Sequence, residues 1–441
     1  MLIARPTPVL RWVICAVLIA ALAGCAGAVV PPTPTADATP TVGLAGGVTL
    51  VLWHGWSSGA RQSLSRLVER FNRQHPDGRV ILQSVPLTSF DSDLRAALNY
   101  GGGPHLILIP STWVGSLTER DALLSLDDLI APAETQALLP AALGGARALG
   151  SDGKQHLYGL PISFDTLAMY YDKRNVLTPP ADTAALLQSA RGLSAPAGVP
   201  PRWGLGLNLS IDNMIGYLYA AGGRVFGDDG GVALGETGRA GAEQWLAWLA
   251  QLQSDPQLLA RAENSIQVDR ELKDGHVLMT FDWAHQIALY RSLWGENLGV
   301  APLPRLSATG QPPQPYVKSD VLAVNGRVGA GERQAALAFL RFMISADAQS
   351  EILQSDLQPA RSDLKLDSPE LDGQRAMAAS AFRSQAQLGR PMPNLGTRER
   401  EILRRELASM QRQVLRGEAA PADAVTEADR RLREQLAAAT P

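Results

Sequence analysis

A chain of 441 residues with 46% hydrophobic content, 41 Gly and 30 Pro is too long for one comfortable core and too apolar to stay unfolded. Two folded bodies of roughly 150 to 200 residues, rich in loops, are therefore expected. The formal charge of -3 gives no general attraction to nucleic acid and removes it from the expected partners.

The first residues read as an export signal: Arg5 and Arg11 supply positive charge, and Trp12 to Leu22 is an apolar run. That run is too short to cross about 30 Å of hydrocarbon as a permanent helix. It closes on Leu22-Ala23-Gly24-Cys25, which resembles the lipobox of bacterial lipoproteins. The resemblance implies a signal peptide over 1–24 and a diacylglycerol thioether, with further acylation such as palmitate, on Cys25. Acyl chains contribute about 0.8 kcal/mol per buried methylene, so several on one residue would hold the chain to a membrane. Cys15 lies inside the signal, so the mature chain would have no partner for a disulfide. Residues 25–47, rich in Pro, Thr, Ala and Gly, read as a flexible tether to a body working at the outer face of the cell membrane.

Beyond the tether, Val48 to Trp53 is an apolar strand, Ala60 to His75 a helix with Leu64, Leu67, Val68 and Phe71 on one face, and Val80 to Val85 a strand. A helix from about Ser89 to Asn99 and a strand at Leu106 to Ile109 complete the pattern. Right-handed crossovers would put the loops after Trp53 and Ile109 at the same carboxyl edge of a parallel sheet, where α/β folds place ligands. Those loops carry Trp56-Ser57-Ser58 and Ser111-Thr112-Trp113. Each Trp is either ligand-facing or packed beneath its loop.

The organising stretch is Asp152 to Lys173. A short strand stops at Pro161, small and polar positions follow, and Leu167 to Tyr171 resumes as a strand. Two strands joined without a helix let the chain leave one sheet for another, which would turn Ser163, Phe164 and Asp165 toward a gap between two bodies. One hairpin in one domain is the other reading. Further on, helices are expected over Pro179 to Ala197, around Ile211 to Tyr219, over Gly238 to Leu252 and over Ile266 to Lys273. Strands are expected at Val277 to Phe281 and Tyr316 to Val324. Asp282 would cap a new helix with Trp283 in its first turn. Helices over Glu332 to Ser345, Arg398 to Arg416 and Asp423 to Ala437 close the chain, and the alternating charges of the last two read as solvated faces.

In order along the chain, several segments resemble the extracellular solute-binding proteins of ABC importers, family 1, which includes the maltose- and glycerol-phosphate-binding proteins. They are Leu52-Trp53-His54, Gly103-Pro104-His105-Leu106-Ile107, Leu157-Tyr158-Gly159-Leu160-Pro161 with Met169-Tyr170-Tyr171-Asp172-Lys173, Asp282-Trp283 after the Gly275 to Met279 strand, and Gly299-Val300-Ala301-Pro302-Leu303-Pro304. The resemblance implies an α/β, two-lobed periplasmic-binding-protein-like fold of type II, its lobes joined by crossing hinge segments. The N-terminal lobe would take 48–160 and 317–358, and the C-terminal lobe 161–316 and 359–441. It implies a monomer that captures a sugar, a mono- or oligosaccharide, by lobe closure and delivers it to ABC permease subunits.

Sugars present apolar C–H faces and hydroxyl rims, so the site needs flat aromatic surfaces and a few fixed polar groups. By position in the family, Trp283 is the expected stacking residue, with Trp56, Ser57 and Trp113 on the opposite wall and Phe164 and Asp165 on the crossing. Asp282 is a hydroxyl acceptor or a cap, and Arg361 a ligand contact or a hinge pair. The Trp56 loop lacks the acidic and basic pair of maltose-type proteins, and only Arg361 and Arg202 offer cations to the cleft, so a neutral sugar is expected. A non-sugar solute such as glycerol phosphate, a polyamine or a peptide is the alternative. An exported glycosidase would need two carboxyl groups about 5 to 9.5 Å apart. Asp165 and Asp282 are the sole pair to consider, and neither lies in a catalytic motif. No enzyme activity, cofactor or metal is expected.

Overall fold

The computed structural model describes residues 47–118, 121–228, 230–262, 265–367 and 371–439. The expected signal peptide, Cys25 and all but the last residue of the expected tether lie outside the described residues. Helices of eight residues or more are numbered here.

The opening alternation is present: β1 (Val48–His54), α1 (Ser58–Gln74), β2 (Gly78–Ser84), α2 (Leu87–Asn99) and β3 (Leu106–Pro110). Helix α1 buries Leu64, Leu67, Val68 and Phe71, the apolar stripe read from their spacing. Strand β1 pairs in parallel with both β2 and β3, so the loops bearing Trp56 and Trp113 do leave one edge of one sheet. A hairpin of β4 (Arg147–Leu149) and β5 (Gln155–Leu157) then leads into β6 (Gly159–Asp165) and β7 (Leu167–Asp172).

Strands β6 and β7 lie in different sheets, with Thr166 alone between them. Thr166 is fully buried; its hydroxyl donates to the Tyr316 carbonyl at 3.0 Å, and its own carbonyl accepts from the Ala284 amide at 3.0 Å. The single-hairpin reading is thereby excluded. The first strand does not stop at Pro161, however. It continues to Asp165 through a bulge: Pro161 faces Val321, Ser163 faces Asp320, and Ile162 is the extra residue. Proline has no N–H to give a ladder, so the interruption falls where a donor is already missing. The Ile162 carbonyl instead receives the side-chain amide of Gln349 at 2.9 Å, and Gln349 is wholly buried. Residues 161–165 therefore sit in the larger sheet, and the chain changes sheets at Thr166 rather than after residue 160.

The second body follows with α3 (Thr183–Leu193), β8 (Gly206–Asn208), α4 (Ile211–Ala220), α5 (Arg239–Ser254), β9 (Leu259–Arg261), α6 (Ser265–Lys273), β10 (Met279–Trp283), α7 (Ile287–Trp294) and β11 (Leu298–Ala301). Its sheet has the order β11-β7-β10-β8-β9. Trp245 of α5 is core, as expected, with its indole N–H on the Met214 carbonyl at 3.0 Å. Asp282 is not a helix cap: it lies in β10 opposite Ala168, and the helical turn begins only at Ala284, after Trp283.

Strand β12 (Tyr316–Val324) returns to the larger sheet and runs antiparallel to both β3 and β6. Helices α8 (Ala330–Met343) and α9 (Ala346–Leu353), strand β13 (Gln358–Pro359), helix α10 (Gly373–Leu388), strand β14 (Arg390–Pro391) and helices α11 (Thr397–Leu415) and α12 (Pro421–Ala437) complete the chain. The larger sheet thus runs β13-β6-β12-β3-β1-β2, with β14 beside the start of β12. One core gathers around Leu50, Leu106, Val321 and Phe339. Another gathers around Met169, Tyr217, Trp245 and Leu432. A third, with Leu139, Phe164, Tyr170, Tyr290 and Phe382, draws residues from both bodies. The fold is a two-lobed α/β structure crossed between lobes at β6–β7, before β12 and after β13.

Candidate functional site

The crossings converge on a cavity of about 250 Å³. Pro110 at the end of β3, Ser163 to Asp165 of β6 and Lys318 to Asp320 of β12 form one wall; Ala284 and His285 beyond β10, Asp356 and Leu357 ahead of β13, and Gln358 at its start complete it. Both sheets contribute because β6 and β12 run along the seam.

All of its charged groups but Asp320 are paired with an opposite charge. His285 Nδ1 lies 2.7 Å from an Asp165 oxygen, and the His285 amide donates to the other at 3.2 Å. The Asp165 hydrogen bond raises the imidazole pKa, against the opposing effect of burial. Lys318 Nζ lies 3.3 Å from Asp212 and 3.7 Å from the centre of the Trp283 ring, a cation over the electron-rich face of an indole. Asp356, held at a φ of 65°, binds Arg291 at 2.9 Å and Arg375 at 2.7 Å. Burial pushes the Asp356 carboxyl up, but these two guanidinium groups outweigh it and hold the pKa below the ordinary value. Asp320 accepts the Ser163 hydroxyl at 2.6 Å. Burial pushes its pKa up, while the Ser163 hydroxyl and the Trp56 indole pull in the other direction.

The residues singled out in the sequence fall into two groups. Phe164 and Asp165 line the cavity. Trp56 joins it through Asp320, and Trp283 through Lys318. Trp283 is 7% exposed and firmly held: its indole N–H donates to Asn213 at 3.0 Å, and its carbonyl accepts the Tyr170 hydroxyl at 2.9 Å. Asp282 stands behind it, accepting the Tyr290 hydroxyl at 2.7 Å, with Tyr290 stacked on Tyr170 at 3.9 Å between centroids. Burial raises the Asp282 pKa. Its geometry is that of a support for the β10 turn.

The others lie outside the cavity lining. Trp113 is half-buried, with its ring 5.7 Å from that of Phe90. Ser57 is exposed just ahead of α1. The Arg361 guanidinium is committed to Asp363 and to the Ile344 carbonyl, and Arg202 donates to the Leu193 carbonyl at the end of α3. The cation in the cavity is Lys318, which sequence reasoning missed together with Asp320. A signal was present: two charges spaced by two in an otherwise apolar strand must share one face, and charge on one face of such a strand marks a site.

Among the described residues no group of His, Cys, Asp and Glu side chains is arranged to hold a metal ion. No helix among them is long and apolar enough to cross a membrane.

Residues 66–379 match the family model described as bacterial extracellular solute-binding protein. A maltotriose-binding protein of Pyrococcus abyssi is 28% identical over 131 residues, 30% of this chain and 27% of that protein, so the chain spans about a quarter of that curated relative. Among solved structures, the fold resembles a cyclo/maltodextrin-binding protein complexed with maltotetraose (TM-score 0.75, 20% identity, 90% of this chain and 98% of that one). It also resembles a cyclic α-maltosyl-1,6-maltose binding protein from Arthrobacter globiformis (TM-score 0.76, 18% identity, 89% and 99%). At such identities these likenesses establish the fold. The family match covers well over half of the chain, and the chain therefore belongs to the bacterial extracellular solute-binding proteins: it is an extracytoplasmic carrier that binds a solute without turning it over.

Proposed function

We propose that the solute is an oligosaccharide of maltodextrin type, gripped between the lobes and passed to the permease of an ABC importer. The observation that carries this reading is the seam cavity, which joins an apolar lining (Pro110, Phe164, Ala284, Leu357) to fixed hydrogen-bonding groups on Ser163, Asp165, His285 and Asp320. Sugars need both kinds of surface. Relatives named for maltotriose and maltotetraose support the class.

A ligand that touches both walls favours the form in which they meet, by the extra contacts it makes there. The fold is of type II, with the crossings as hinges; the ligand-contacting set is Trp56, Phe164, Asp165 and Trp283 with Lys318 and Asp320. Lipidation at Cys25 anchors a monomeric carrier to the outer face of the membrane, near its permease. The test is calorimetric titration of the purified protein with maltose, maltotriose and maltotetraose, alongside small-angle scattering. Binding accompanied by a smaller radius of gyration is expected. Absence of heat with every glucan, and an unchanged scattering profile, would overturn the reading.

A further inference from the structure

The charges around the cavity do not balance evenly. Asp165 has His285, Lys318 has Asp212 and the Trp283 face, and Asp356 has Arg291 and Arg375. Asp320 differs. Its hydrogen-bond donors are the neutral hydroxyl of Ser163 at 2.6 Å and the neutral indole of Trp56, and none of the described cations forms a salt bridge with it. A half-buried carboxylate held by neutral donors, with the His285 charge acting on it only from beyond salt-bridge distance, has no opposite charge in contact to offset its partial desolvation. This carboxylate lines the cavity, so a bound molecule can supply that charge.

We propose that the cleft prefers a sugar bearing a protonated amine, and that Asp320 is the residue that selects it. The inference rests on the carbohydrate reading above and sharpens it. An ammonium replacing one ring hydroxyl keeps the hydrogen-bonding outline of the sugar while adding the missing positive charge, and a charge-assisted bond is about twice as strong as a neutral one. The same cavity already accommodates an ammonium of this kind: that of Lys318 sits on an indole face beside a carboxylate. Ser163 and Trp56 fix the orientation of the Asp320 carboxyl, so the preference depends on where the amine sits on the ring.

The experiment uses the full chain and a panel of maltotrioses in which a single hydroxyl is replaced by an amine, titrated at pH 6 beside maltotriose and the N-acetylated form of each amine. At least one amine is expected to bind ten times more tightly than maltotriose, and its N-acetyl form to lose that advantage. In Asp320→Asn the ratio of amine to hydroxyl affinity should fall to about one or below, with far-ultraviolet dichroism showing the fold intact. Maltotriose binding with every amine equal or weaker would overturn the proposal and leave the sugar reading standing, as would a tighter amine whose advantage survives in Asp320→Asn. Silence from maltotriose and all amines alike would overturn both.

Discussion

Gln349→Met removes a polar group from the point where the lobes are stitched together. In the native protein the Gln349 amide donates to the carbonyls of Ile162 and Met343, each at 2.9 Å, and its oxygen accepts from the Arg361 amide at 3.2 Å. The side chain is fully buried, as are Ile162 and Met343. Methionine keeps the length and much of the volume, so packing changes little, but three backbone groups lose their partner. At about 1 kcal/mol net for each bond the loss is about 3 kcal/mol, and more where the orphaned carbonyls stay closed to water. Urea unfolding followed by tryptophan fluorescence should show a lower midpoint with an unchanged slope. Gln349→Glu should be worse still, because it sets a carboxylate against two carbonyl oxygens. A loss below about 0.5 kcal/mol for the Met variant, the scale of an ordinary surface change, would refute the idea that the bulge at Ile162 depends on this amide.

Replacing Trp283 by Ala should weaken glucan binding at least tenfold, about 1.4 kcal/mol; calorimetry giving the wild-type affinity would remove that indole from the site. The His285–Asp165 link should hold the seam together at mildly acid pH. Because the folded imidazole pKa is raised, its contribution is complete below about pH 6.5, the ordinary histidine value, and fades as pH rises through the higher folded pKa. Small-angle scattering of the ligand-free protein should show loosening over that rise, and His285→Gln should abolish the trend; identical profiles at acid and alkaline pH would contradict it. Asp356→Asn should destabilise the protein by about 2 kcal/mol through loss of its charge-assisted bonds to Arg291 and Arg375. Its lowered pKa puts the native contribution above the unfolded aspartate value and removes it as pH falls through the folded one, so the two proteins should converge in stability in strong acid. A constant gap in thermal melts down to acid pH would count against the clasp.

The parts of the fold visible in the sequence were those where side-chain pattern and backbone need coincide. Strand β12 was read residue for residue, because Tyr316 to Val324 is bounded by a proline-rich loop and by Asn325-Gly326. The change of sheets between β6 and β7 was also visible, as two strands with no helix between them. Pro161 misled the reading. A proline normally ends a central strand, yet here a bulge spares the missing donor, and the amide that satisfies its neighbour comes from a residue almost two hundred positions later. Asp282 misled it too, since a cap and a strand terminus look alike until the Tyr290 hydroxyl is seen on the carboxyl. The site was half legible: Phe164 and Asp165 follow from the crossing, whereas the pairing of Lys318 with Asp212, and of Asp320 with Ser163, joins residues more than a hundred positions apart.

Strand β12 lies between β3 and β6 in the larger sheet, which imposes an order of events on a chain made from its N-terminus. Until residue 324 has been synthesised, that sheet has a hole in its middle: the first three parallel strands and the first crossing strand have no neighbour to join them. The first lobe therefore cannot close its sheet until nearly three quarters of the chain is present.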